Sequence, residues 1–198
     1  MLKLQELKNK ERFYLQNQTK MLTNVLGELI KDIRLTNKVL QIKTTSENLK
    51  SVLFFLQNNS LCLFTQLQEI ACVDTPKSVL RFTVTYNLRS VNFNTNITVS
   101  VQTNEVMGLP TVIDIYSSAN WLEREVWDLF GIFFVGHPDL RRILTDYGFQ
   151  GHPLRKDFPL TGFFEIYYND NTKRLSYEPV ELAQECRNWF LNEQPDQN

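Results

Sequence analysis

Glu123, Glu125, His137 and His152 are the residues of this sequence whose types and spacing could do chemistry together. Carboxylates that work as an acid/base pair must converge on one bond. Positions 123 and 125 of a helix project about 200° apart, so these two diverge and a glycosidase-like pair is not supported. The same four side chains could instead surround a metal, with Asp139 and Asp157 near the histidines. Each histidine sits in a Gly-His-Pro turn, Gly136-His137-Pro138 and Gly151-His152-Pro153. No second His or Cys stands at short spacing from either, which is a poor arrangement for zinc. An imidazole that hydrogen-bonds the backbone of its own turn is the plainer reading.

Other reaction classes find less. There is no Gly-x-Ser-x-Gly elbow, P-loop or Gly-x-Gly-x-x-Gly run, so neither a hydrolase nucleophile nor a nucleotide has an anchor. Cys62, Cys72 and Cys186 form no Cys-x-x-Cys pair for an iron–sulfur cluster or zinc and read as small hydrophobes in a reducing compartment. Arg141, Arg142, Arg155 and Lys156 are interleaved with Asp139, Asp146 and Asp157, and the formal net charge is −1. That balance lacks the footprint of a non-specific nucleic-acid binder. Alternating Arg and Asp in a loop point instead to a buried or interfacial ion-pair network, and the whole pattern to recognition of a protein surface.

The elements that must position these residues follow from patterning. A chain of 198 residues, 42% hydrophobic, can bury a core without disulfide or metal staples. Its longest apolar runs, such as Val52-Leu53-Phe54-Phe55-Leu56, fall far short of the ~20 residues that cross a bilayer. No apolar signal-peptide core follows the N-terminal lysines. Over 1–35, Met21, Leu22, Val25, Leu26, Leu29, Ile30 and Ile33 recur at helical spacing and predict one helical stripe. Leu35 to Lys43 reads as a strand, and Ser46 caps a predicted helix over Glu47 to Asn58. From Leu67 to Thr103, β-branched and aromatic alternation predicts an antiparallel meander with Phe82, Val84 and Tyr86 on one face.

Ala119 to Phe130 is predicted helical, with Ala119, Leu122, Val126, Leu129 and Phe130 buried, Arg124 and Asp128 paired on the exposed side, and Gly131 ending the helix. Five of the seven glycines then fall between 131 and 162, which forces frequent turns. Glu178-Pro179 is expected to head a short helix over Val180 to Phe190. The expectation is an α/β (α+β) chain: a helical segment over 1–35, a core over 36–131 with an antiparallel or mixed sheet covered by helices, and an extended docking segment and tail over 132–198.

One stretch carries more information than its periodicity. Glu123-Arg124-Glu125, two free positions, Asp128, two apolar residues, Gly131, then Gly136-His137-Pro138, Arg141-Arg142 and Ile143-Leu144 resemble the thirty-kilodalton subunit of respiratory complex I. Asp146-Tyr147-Gly148-Phe149 and Gly151-His152-Pro153-Leu154-Arg155-Lys156-Asp157 extend the match, and a looser likeness covers most of 45 to 190. Tyr167 departs from it, because related tails commonly carry an arginine before the tyrosine at Tyr168.

The resemblance implies a cofactor-free core subunit of the peripheral arm of NADH:ubiquinone oxidoreductase, with no active site on this chain. It implies docking chiefly on the forty-nine-kilodalton subunit and the neighbouring iron–sulfur subunits of the quinone module. FMN, iron–sulfur clusters and ubiquinone belong to those partners, and membrane association arises only through the complex. The signature residues from Glu123 to Asp157 would form the partner interface, their charges satisfied across it. Eighteen asparagines and fourteen phenylalanines with only seven glycines suit an AT-rich genome, and the missing presequence would fit a mitochondrially encoded subunit, for which the resemblance implies a place on the matrix side of the inner membrane. The equivalent subunit of a plastid or bacterial NAD(P)H–quinone oxidoreductase or of a hydrogenase complex stays open, as does a metal enzyme built on Glu123, Glu125, His137 and His152.

Overall fold

The computed structural model describes residues 17–36 and 39–184. Helix α1 covers 17–26 and is followed by strands β1 (Ile30–Thr36) and β2 (Val39–Thr44), helix α2 (Leu49–Asn58), and strands β3 (Gln66–Asp74), β4 (Phe82–Ser90) and β5 (Thr95–Thr103). The short strand β6 (Leu109–Pro110), helix α3 (Ala119–Phe130) and the short strand β7 (Phe134–Val135) come next, and β8 (Phe164–Asn169) and β9 (Arg174–Pro179) close the described chain. Residues up to Asp157 form one compact unit and those from Phe158 a second.

In the first unit five strands run in the order β1-β2-β5-β4-β3. The expected meander is present, since β3–β4 and β4–β5 pair antiparallel, while β2 joins parallel to β5 and makes the sheet mixed. Alternation aims Phe82, Val84, Tyr86 and Leu88 of β4 and Ile97, Val99 and Val101 of β5 into one core. Leu49, Val52, Leu53 and Leu56 of α2 and Leu22 and Leu26 of α1 join the same cluster. Burial of these apolar side chains, each worth roughly 1.5–3 kcal/mol, is the main force holding helices to sheet.

Four local expectations are corrected. The stripe drawn through residue 33 ends early: α1 stops at Leu26, a turn follows, and Ile30 and Ile33 lie on β1. Sheet pairing overrides helical spacing there, because β-branched residues suit an edge strand and β2 supplies the backbone partners. The strand expected from Leu35 to Lys43 is accordingly divided between β1 and β2, which pair antiparallel. Helix α2 begins at Leu49 after Asn48 rather than at Glu47, without a side-chain cap from Ser46. Glu178 and Pro179 end strand β9 instead of heading a helix, because residues 174–179 pair with 164–169; no helix is present over 180–184. Residues 1–16, Cys186 and the remainder of the expected tail helix lie outside the described residues.

Candidate functional site

Helix α3 is buried on more of its circumference than its apolar residues alone would require. Ala119, Val126 and Phe130 are buried as expected, with Leu122 and Leu129 half-buried, but Glu123, Arg124 and Asp128 are buried too. The exposed Arg124–Asp128 pair is therefore corrected. Arg124 Nε donates to the Arg141 carbonyl at 3.1 Å and its guanidinium lies 5.1 Å from the Trp121 ring centre, while Asp128 binds the next residues of the same loop, 142–145. A buried charge needs several donors or acceptors, and both find them in the backbone and side chains of 141–145 rather than in each other.

Asp128 is fully enclosed. It accepts N–H groups from Ile143 (3.2 Å), Leu144 (2.8 Å) and Thr145 (2.9 Å), the Thr145 hydroxyl (2.6 Å) and Arg142 Nη1 (3.2 Å). Burial pushes its carboxyl up, but the Thr145 hydroxyl and the three amides outweigh that and hold it below the usual aspartate value. Arg142 also donates through Nη2 to the Gly151 carbonyl at 2.8 Å, so one guanidinium ties residues 142 and 151 to α3.

Glu123 does the same work at the other end of the helix. It accepts the Thr111 hydroxyl at 2.6 Å and the Val112 N–H at 2.8 Å, with His137 Nε2 4.0 Å away. Burial raises its pKa despite these bonds. Glu123 follows Ala119 by four and precedes Val126 by three, so helical spacing already placed this carboxylate on the apolar stripe. Glu125 is half-buried on a different bearing. His137 accepts the Asp139 N–H on Nδ1 at 3.0 Å, which assigns the ring proton to Nε2, 3.2 Å from the Asn120 carbonyl. The own-turn reading holds for this histidine.

His152 instead serves α3. Its Nδ1 lies 2.9 Å from the Asp128 carbonyl, Leu154 N–H donates to the Leu129 carbonyl at 3.1 Å, and Arg155 Nε donates to the Phe130 carbonyl at 2.6 Å. With Gly131 N–H on the Trp127 carbonyl, all four terminal carbonyls of the helix are satisfied. Gly131 has φ +76°, and a Cβ there would stand 2.5 Å from His152 Nε2 and 2.6 Å from Arg155 Nη2, so both turn and approach require glycine. Burial, with Arg155 and Arg142 nearby, lowers the His152 pKa against the pull of the Asp128 carbonyl.

A third enclosed carboxylate ends the run Ala71-Cys72-Val73-Asp74, which resembles the family's strand end but offers no pairing by spacing. Asp74, at the end of β3, binds Arg81 bidentately (Nε 2.7 Å, Nη2 2.8 Å) and accepts the Lys156 N–H at 2.8 Å. Arg81 extends to Glu105 (2.7 Å) and Asp157 (2.9 Å), and Arg155 reaches Glu105 at 3.4 Å. The guanidinium bond from Arg81 holds the Asp74 carboxyl below its ordinary value.

The structure thus brings the signature together around α3, but as internal clamps. Asp128, Arg142, Arg155 and Asp157 each have charged partners within the chain. Arg141 points outward, its side chain 72% exposed and beside Asp139 at 3.0 Å, and Lys156 is exposed too. Pro138, Gly136 and Gly148 are also exposed, and Pro153 is half-buried beside its histidine. Among the described residues no three His, Cys, Asp or Glu side chains stand where they could hold a metal, and no helix is long and apolar enough to cross a membrane. A groove of about 770 Å³ beside α2, lined by Leu26, Leu29, Phe54, Phe55 and Ile115, holds none of the signature residues.

The second unit is a hairpin. Its register puts Phe164, Ile166 and Tyr168 opposite Pro179, Tyr177 and Leu175, so one face is wholly apolar or aromatic. All five of its large side chains are exposed. The other face carries Glu165, Tyr167, Asn169, Arg174, Ser176 and Glu178. There the Tyr167 hydroxyl donates to Glu178 Oε1 at 2.8 Å, so the residue that departs from the family pattern keeps a cross-strand link.

Comparison with known proteins follows the same lines. The family model of the respiratory-chain NADH dehydrogenase 30 kDa subunit matches residues 42–164. An NADH-quinone oxidoreductase subunit of Rhizobium johnstonii is 52% identical over 163 residues, covering 82% of each chain. The mitochondrial NADH dehydrogenase [ubiquinone] iron-sulfur protein 3 of Candida albicans is 52% identical over 139 residues, 70% of this chain and 50% of that one. At the same identity, the bacterial relative matches over more of both chains than the mitochondrial one. A chain in the structure of an archaeal membrane-bound sulfane sulfur reductase shares the fold, with a TM-score of 0.62 at 24% identity over 73% of this chain and 86% of that one. The chain belongs to the 30 kDa subunit family of the respiratory-chain NADH dehydrogenase and is a subunit of an NADH-quinone oxidoreductase.

Proposed function

We propose that this subunit carries no cofactor and positions its neighbours in the peripheral arm, docking chiefly on the forty-nine-kilodalton subunit through the C-terminal hairpin and the signature segment. The partner subunits then hold the FMN, iron–sulfur clusters and quinone site, and buried interface area is this chain's contribution to electron transfer. The observation that carries the reading is the hairpin's apolar face, Phe164, Ile166, Tyr168, Leu175 and Tyr177, exposed on a two-stranded sheet. Such a face is costly in water, and a lone hairpin is marginal without something to pack on. The Asn-rich composition suits a mitochondrially encoded chain, and the mitochondrial location of one relative suits a place on the matrix side of the inner membrane.

A photo-crosslinking residue at Ile166 in the assembled complex tests this. The expected adduct is with the forty-nine-kilodalton subunit; adducts confined to other subunits, or none, overturn the assignment.

A further inference from the structure

We infer that residues 142–151 form a preorganised loop whose tip residue, Tyr147, is an anchor that inserts into an apolar socket on a neighbouring subunit of the oxidoreductase. This deepens the docking reading above and rests on it. Two independent observations carry the inference. The first is the neck. Arg142 bridges Asp128, at 3.2 Å, and the Gly151 carbonyl, at 2.8 Å, closing the loop on itself, and its guanidinium lies 5.8 Å from the Phe149 ring centre. Asp128, with no exposed surface, fixes the ascending side through the N–H groups of 143, 144 and 145. Phe149 N–H returns to the Asp146 carbonyl at 3.1 Å, and Gly148 turns the tip with φ +73°.

The second observation is what this scaffold presents. Tyr147 stands 96% exposed at the tip. Enclosing a carboxylate is costly and is offset here by five donors, all spent on holding one loop conformation. A rigid loop ending in an exposed aromatic is the arrangement of an interface hot spot: a large ring with few rotatable bonds, ordered before binding. A phenol suits a socket with apolar walls and a hydrogen-bond acceptor at its base.

The occupant is a different subunit rather than a second copy. One tyrosine supplies only about 200 Å² of buried surface, against the ~800 Å² per partner of a stable interface. Tyr147 therefore acts as a pin inside a larger contact, and membership of a multi-subunit enzyme provides one.

Labelling of a Tyr147→Cys variant with a maleimide tests the inference in the free full-length chain and in the assembled complex, with the parent chain's cysteines as background. Labelling in the complex should be about tenfold slower or more, because an anchor position is enclosed and desolvated by its partner. Equal rates overturn the inference. Protection that appears in the free chain on concentration, or on adding phosphatidylcholine–phosphatidylglycerol vesicles, assigns the loop to self-association or lipid and also overturns it. Tyr147→Ala should leave the melting temperature of the free chain unchanged but lower its incorporation into the complex, with Tyr147→Phe restoring most of it; parent-like incorporation of Tyr147→Ala counts against the anchor. A crosslink from Ile166 to the forty-nine-kilodalton subunit with position 147 still labelled would separate failure of the anchor from failure of the docking assignment.

Discussion

Arg155 donates through Nε to the carbonyl of Phe130 at 2.6 Å, closing the last open acceptor of a helix that ended 25 residues earlier in the chain. A cation at a helix C-terminus meets both an unpaired carbonyl and the negative end of the helix dipole. His152 and the Leu154 amide take the two preceding carbonyls. The second Gly-His-Pro turn and the residues after it are thus a cap delivered from a distance, and the cap holds 152–155 against α3.

Gly131→Ala should be among the most destabilising single-methyl additions in the chain. It imposes a left-handed side chain and drives a Cβ to within 2.6 Å of His152 and Arg155. We expect a loss of about 2–4 kcal/mol in urea unfolding. Gly148→Ala has the same backbone sign with nothing within 4 Å, and should lose only about 1–2 kcal/mol.

Asp128→Ala strands three amides, a hydroxyl and Arg142. Loss of about 3 kcal/mol or more is expected, with Asp128→Asn intermediate because an amide keeps one acceptor oxygen. Hydrogen exchange should show faster exchange at 143–145 in both variants; unchanged protection there would contradict the clamp.

Arg141 and Arg142 are adjacent and should separate cleanly. Arg142→Ala removes bonds to Asp128, Thr145 and Gly151, so the free chain should melt at a lower temperature. Arg141 is mostly exposed, and Arg141→Ala should leave the melting temperature unchanged while lowering assembly more than turnover per assembled complex. Normal assembly with lost turnover in Arg141→Ala would argue against a docking role.

Acidification should weaken the fold in two stages, through His152 and then through three aspartates, against an opposing gain from Glu123, whose raised pKa lets the folded chain take up that proton first. His152 has its pKa lowered below the ordinary 6.5, so the folded chain holds it neutral while the unfolded chain takes up a proton. That contribution is present above pH 6.5 and is lost as the pH falls below it. Asp74, Asp128 and Asp157 are depressed below 3.8, so their contribution persists to that pH and disappears beneath it. Urea midpoints between pH 8 and 5 measure the first stage, and His152→Gln should flatten it.

Much was legible in the residues themselves. Alternation in 82–88 and 97–101 specified the meander and its buried face, because a period of two leaves only one way to bury Phe82, Val84 and Tyr86. Gly131 marked the end of α3, and the run from Glu123 to Asp157 carried the family. Partner choice within the chain was not legible. Whether Arg124 pairs with Asp128 or reaches Arg141, whether Asp74 meets Arg81 and Lys156, and whether Ile30 continues a helix or joins β2 depend on which segments fold back together. Local spacing sets the direction of a side chain, but a buried charge takes whichever partner tertiary packing brings within about 3 Å, and only the folded chain decides that.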